Sequence, residues 1–131
     1  MQRRSGMKPT FPLALLLACA LHGAQASTHT LEIDWGSAQR FEHEMALAPG
    51  WTLEACAPLS QEQRVNWTFH ADGSLSFALL HRVGKRPYYA ERRQRTRSLQ
   101  GVFSPIQAVR HCWTWTNSGS QTVQLAFMLR H

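Results

Sequence analysis

The sequence predicts an all-β fold, an antiparallel β-sandwich of jelly-roll-like build held as a single domain with one disulfide. Two observations carry that prediction. Apolar and polar residues alternate along short segments, while helical periodicity is nearly absent. Turn residues separate these segments at short, regular spacing, as in sandwiches and small barrels. At 131 residues there is room for one core and no second domain.

Residues 1–26 are expected to be an export signal. Arg3, Arg4 and Lys8 form a positive start, residues 11–21 form an apolar run, and Ala24-Gln25-Ala26 is a small-residue cleavage site. The run is about half the ~20 residues a membrane-spanning helix needs. A second reading takes Cys19 as a lipid-attachment cysteine within Leu16-Leu17-Ala18-Cys19. Cleavage after Ala26 leaves a β-sandwich domain over residues 27–131. That domain keeps 11 of the 14 Lys and Arg against 8 acidic groups, a net charge of +3. No apolar run long enough for a transmembrane helix occurs in it, which points to a periplasmic or secreted protein.

The strands follow in order. Phe41, His43, Met45 and Leu47 share one face against Arg40, Glu42 and Glu44, and the turn Ala48-Pro49-Gly50 ends that segment. Trp51, Leu53 and Ala55 alternate next, then Val65, Trp67 and Phe69. Ala71-Asp72-Gly73-Ser74 predicts a hairpin, after which Leu75, Phe77 and Leu79 continue the inward face. A second predicted hairpin joins Val109, His111, Trp113 and Trp115 to Val123, Leu125, Phe127 and Leu129 through Asn117-Ser118-Gly119-Ser120.

Two cysteines, Cys56 and Cys112, remain beyond residue 26. In an oxidising compartment such a pair is most simply a disulfide, closing a loop whose cross-linking is worth on the order of 4 kcal/mol. A redox pair and metal thiolates are the alternatives, although no C-x-x-C spacing occurs. Parity puts Cys112 on one side of its strand and Trp113 with Trp115 on the other.

Together the segments Val65-Asn-Trp-Thr-Phe69, Asp72-Gly-Ser-Leu-Ser-Phe77, Gly101-Val-Phe-Ser-Pro105, His111-Cys-Trp-Thr-Trp-Thr-Asn117 and Val123-Gln-Leu-Ala-Phe127, preceded by Cys56, resemble the GOLD (Golgi dynamics) domain. Small exported bacterial relatives are the nearest in pattern. The resemblance covers about residues 41–129. It implies a β-sandwich that serves as an adaptor or binding module, with no catalytic site to transfer.

No nucleophile elbow, phosphate-binding loop, dinucleotide fingerprint or zinc helix occurs in the sequence. Glu42 and Glu44 flank His43 as a solvated strand face. The function expected is therefore an exported non-catalytic binding or accessory module of the periplasm or cell envelope, not an enzyme. The alternative is a periplasmic copper-binding protein using His43, Met45, His81 and His111, where imidazole and thioether suit copper. Without a compact ligand motif, no cofactor is assigned beyond that possibility.

One segment differs from the rest in charge. Arg82, Lys85, Arg86, Arg92, Arg93, Arg95 and Arg97 face a single Glu91, a local charge of +6 within 16 residues. Such density resists burial and predicts an exposed loop or an edge strand. Tyr88 and Tyr89 beside the arginines suit nucleic-acid stacking, but export removes that partner. An envelope protein with an acidic face or an anionic surface fits the compartment. Trp35 and Trp51 are candidates for an apolar or carbohydrate contact.

Overall fold

The computed structural model describes residues 2, 3, 5–10, 12, 14, 18, 19 and 26–131. Arg4, Ala24, Gln25 and most of the apolar run 11–21, on which the expected export signal rests, lie outside them. Cys19 is a free, exposed thiol.

Alternating segments become strands wherever an apolar face can be covered: β1 (Ser27–Glu32), β2 (Arg40–Leu47), β3 (Trp51–Pro58), β4 (Val65–Val83), β5 (Arg86–Phe103), β6 (Arg110–Thr116) and β7 (Val123–Arg130). No helix occurs among the described residues. The strands form one curled sheet in the order β1-β3-β6-β4-β7-β2, with β5 pairing β4. All ladders are antiparallel except that β1 runs parallel to β3, a departure from the purely antiparallel expectation.

The curl comes from β4. Its first part, Asn66 to Ala71, pairs with β7, and its second part, Ser76 to His81, pairs with β6. Along nearly its whole length the opposite edge of β4 carries β5. The two parts bend toward each other, so Trp115 of β6 stacks on Phe127 of β7 with ring centroids 4.4 Å apart. One cluster fills the interior, built on Trp67, Phe69, Phe77, Trp113, Trp115 and Phe127 with the leucines of β3, β4 and β7.

Both predicted hairpins are corrected by this topology. Residues 71–74 make no turn, because β4 runs straight through Asp72-Gly73. Asp72 Oδ1 instead accepts the Gln124 amide at 2.8 Å, and Gly73 lets Val123 approach so closely that a Cβ there would lie 2.7 Å from Val123 Cγ2. A glycine within a strand marks such a bend or close approach as well as a turn. The second predicted hairpin is a crossover: β6 and β7 do not pair with each other, since each takes a different stretch of β4.

The link between β2 and β3 crosses in the same way, and Asn117 ties the two crossovers together. Its side chain is fully buried and donates to the carbonyls of Leu47 and Gln121, both at 2.8 Å. Its backbone donates to Trp51 O at 2.9 Å and accepts from Gly50 N at 2.8 Å, which sits in the left-handed conformation only glycine adopts freely.

The disulfide is the expected one, Cys56–Cys112, between directly opposed residues of β3 and β6. Its two cysteines pack with Ala78 and Leu80 in a small cluster separate from the main core. The opposite-face placement read from parity therefore holds.

Candidate interaction surface

The basic segment is an edge strand. The true hairpin turn is Gly84-Lys85, where Gly84 has a φ of 61°, and β5 leaves it with only β4 as a neighbour. Apolar partners are lacking on its outer side, so the charge that the sequence concentrates there stays in water. Arg82 pairs with Glu54 at 2.6 Å and Arg93 with Glu91 at 3.0 Å. Among the described residues, Lys85, Arg86, Arg92, Arg95 and Arg97 have no carboxylate partner. Two of these guanidiniums lie over exposed aromatic rings: Arg86 over Tyr88 at 5.4 Å and Arg92 over Tyr89 at 4.6 Å. Stacking of this kind holds an arginine in place and leaves its N–H edge for a partner.

Beside the turn, Tyr88, Phe103, Ile106 and His81 surround an apolar recess of about 210 Å³. Ile106 is 86% exposed, and Val83 and both tyrosines are also solvent-facing. Exposed Tyr and Arg around a small apolar recess is the composition that protein interfaces concentrate at their energetic centres. Sequence reading located the arginines but not the recess, because Phe103 and Ile106 reach it only through the β4–β5 pairing.

The four candidate metal ligands fall in two places. His81 and His111 face each other across β4 and β6, ring centroids 5.3 Å apart. His43 instead packs against Phe41 and Phe127 at the β2 edge, and Met45 leans on the core from the same strand. Among the described residues, the one trio of His, Cys, Asp or Glu with ligand atoms within 4.8 Å is Glu54, Cys56 and Cys112, and its two sulfurs are bonded to each other. Trp35 packs edge-on against His131 and Trp51 begins β3, at opposite ends of the β1–β3 ladder, so they line no common site. Glu42 points to solvent and is paired with Arg40, beside a shallow groove of about 570 Å³.

His111, behind the recess, links folding stability to pH. It is 3% exposed, and its Nδ1–H donates to Val109 O at 2.9 Å. Burial holds its pKa below the ordinary 6.5; the Val109 hydrogen bond opposes this and the neighbouring His81 reinforces it. The unfolded chain therefore takes up this proton before the folded one does. The His111 contribution is fully present above about pH 6.5 and is lost as pH falls below it. His111→Asn, which keeps a donor and removes the titration, should flatten the fall in urea-unfolding free energy between about pH 7 and pH 5. An unchanged slope would show that His111 does not carry it.

No family model matches the chain, and no curated protein sequence matches it. Its fold is similar to that of PliG from Aeromonas hydrophila, a periplasmic lysozyme inhibitor of g-type lysozyme, with a TM-score of 0.58 and 13% identity over 82% of this chain and 98% of that one. A de novo designed double-stranded β-helix is superposable at a TM-score of 0.41 and 16% identity, over 69% of this chain and 96% of the design. The chain is thus a small disulfide-tied β domain with a PliG-like fold; membership of the GOLD family is not shown.

Proposed function

We propose that the chain is an exported, non-catalytic protein-binding module that blocks a wall-lytic enzyme of the lysozyme class. The observation that carries this reading is the fold likeness to PliG, which spans nearly the whole of that inhibitor. The hairpin end supports it by charge and shape. Glycoside hydrolases carry a pair of carboxylates in a cleft, and Lys85 and Arg86 stand exposed at a narrow two-residue turn with an aromatic and apolar flank. Export by residues 1–26, with cleavage after Ala26, delivers the module to the periplasm or the medium, where such enzymes act.

The test uses the chain expressed with its own leader and purified after export. Clearing of a cell-wall suspension by g-type, c-type and i-type lysozymes is followed with increasing amounts of the protein. Stoichiometric inhibition of at least one type is expected; none at large molar excess over any of them ends the reading. Lys85→Glu with Arg86→Glu should weaken inhibition by about a hundredfold, since like-charge contacts in an interface cost several kcal/mol. Both side chains are exposed, so the melting temperature should not move.

A second reading is copper binding through His81 and His111. It is favoured by their adjacency and by the Nδ1–H of His111, which leaves Nε2 as its lone-pair nitrogen. Metal content of the same tag-free preparation after exposure to Cu(II) and dialysis decides it.

A further inference from the structure

On the outer face of the β3–β6–β4 layer lies a second groove of about 250 Å³, which shares Tyr89 with the recess beside the turn. One wall carries the hydroxyls of Thr52, Ser76, Thr114 and Thr116, and the other carries Tyr89, Arg92, Arg93 and Gln94. The ion pair of Arg82 with Glu54 also borders it, and Ala78 and Leu80 make its floor beside the disulfide.

The second wall departs from regular strand geometry at Gln94. Arg92 and Arg93 keep regular register, opposite Ala78 and Phe77, and the strand bulges just beyond them. Phe77 pairs with Arg93 and Leu75 with Thr96, so Gln94 and Arg95 together stand opposite Ser76. Arg95 takes a φ of 54°, in the left-handed region that disfavours a residue with a side chain. Bulges of this kind re-aim side chains and recur beside binding sites.

The donors in the groove outnumber what the protein itself accepts. Thr52 and Thr116 share one hydrogen bond at 2.8 Å, which leaves one O–H of the pair to donate outward. Thr114 donates to Ala78 O at 3.2 Å and so offers lone pairs. Arg93 is committed to Glu91 and to the carbonyl of Arg92. Arg92 lies over the Tyr89 ring and has no carboxylate within 4.0 Å among the described residues, so its N–H groups are open to a partner. A matching ligand brings an oxyanion for Arg92, hydroxyls for the threonine wall, and a C–H face for Tyr89 and the apolar floor. The volume equals about eight waters at ~30 Å³ each, enough for one sugar ring.

We infer that this groove binds an acidic sugar unit, a hexose ring bearing a carboxylate or a phosphate, with Arg92 holding the oxyanion. Uronic acids and sugar phosphates share that chemistry, and the experiment separates them. The exported protein, labelled with ¹⁵N, is titrated with galacturonic acid, glucose 6-phosphate, neutral glucose and inorganic phosphate, and amide and arginine Nε–H signals are followed by NMR.

Saturable shifts at Ser76, Thr114, Thr116 and Arg92 with one of the two acidic sugars, stronger than with glucose or phosphate, are expected, and which sugar wins names the oxyanion. Arg92→Ser should weaken that binding tenfold or more, the loss of a charge-assisted bidentate contact. Arg97→Ser removes the same charge outside the groove and should leave it unchanged. Equal losses in the two variants would reduce the effect to net charge and overturn the site. So would phosphate binding as well as the acidic sugar, or no saturable shift at all. Vesicles of phosphatidylglycerol that shift Lys85, Arg95 and Arg97 but not the threonine wall would reassign the strip to a membrane surface and also overturn it.

Discussion

Trp115→Ala should lower the unfolding free energy by about 4 kcal/mol, within the range for emptying a buried aromatic site. Trp115 is 1% exposed and stands where the two layers meet, against Phe127 at 4.4 Å and Phe69 and Phe77 at 5.7 Å each. Those three rings belong to β7 and to both parts of β4, so no single strand can move in to close the hole. Urea denaturation followed by circular dichroism reads the loss directly. Trp115→Phe is the informative partner: the indole Nε1 is buried without a hydrogen-bond partner among the described residues, so removing it discards an unsatisfied donor along with some volume. A loss of less than ~1.5 kcal/mol is expected there. If alanine were tolerated as well as phenylalanine, the two layers would not be joined through this residue.

The second large effect belongs to the disulfide. Cys56→Ser with Cys112→Ser releases a cross-link between residues 56 apart in sequence. In the chain-entropy account this costs about 4 kcal/mol, which for a domain of this size corresponds to roughly 20 °C in melting temperature. Domains of this kind have only ~5–15 kcal/mol in total, so the double variant should sit near the edge of folding. The bridge is almost fully covered, so a mild reductant under native conditions should leave it intact and cleave it once the protein is unfolded. A thermal scan of the variant against the parent, with thiol titration before and after urea, checks both statements. A melting temperature within a few degrees of the parent would mean that the β3–β6 ladder holds those residues together unaided.

Much of this architecture was legible in the residues. Alternation at Phe41, His43, Met45 and Leu47 matches β2, and parity at Cys112, Trp113 and Trp115 gave the two faces of β6. Charge density alone marked residues 82–97 as exposed edge. What escaped was which strands meet. Asp72-Gly73 has turn chemistry, but its fate is decided by Gln124 and Val123, about fifty residues further along the chain. Ser118-Gly119-Ser120 turns the chain as expected, yet into the other layer, because Asn117 is bound to Leu47 and to the backbone beside Gly50. β1 shows little alternation, and its parallel pairing depends on β3 already being placed. The groove at Arg92 could not be anticipated from spacing at all. It is lined by residues of β3, β4, β5 and β6, which only the pairing of those strands brings to one face.

The double pairing of β4 bears on how the molecule comes apart. A sandwich made of two independent sheets can in principle lose one and keep a remnant of the other. Here β6 and β7 hydrogen-bond to successive stretches of the same strand, and β5 runs beside both. Fraying β4 at either end strips backbone partners from one layer and the packed rings from the other. Neither half of this chain is therefore expected to fold alone, and its melting is expected to be all-or-none.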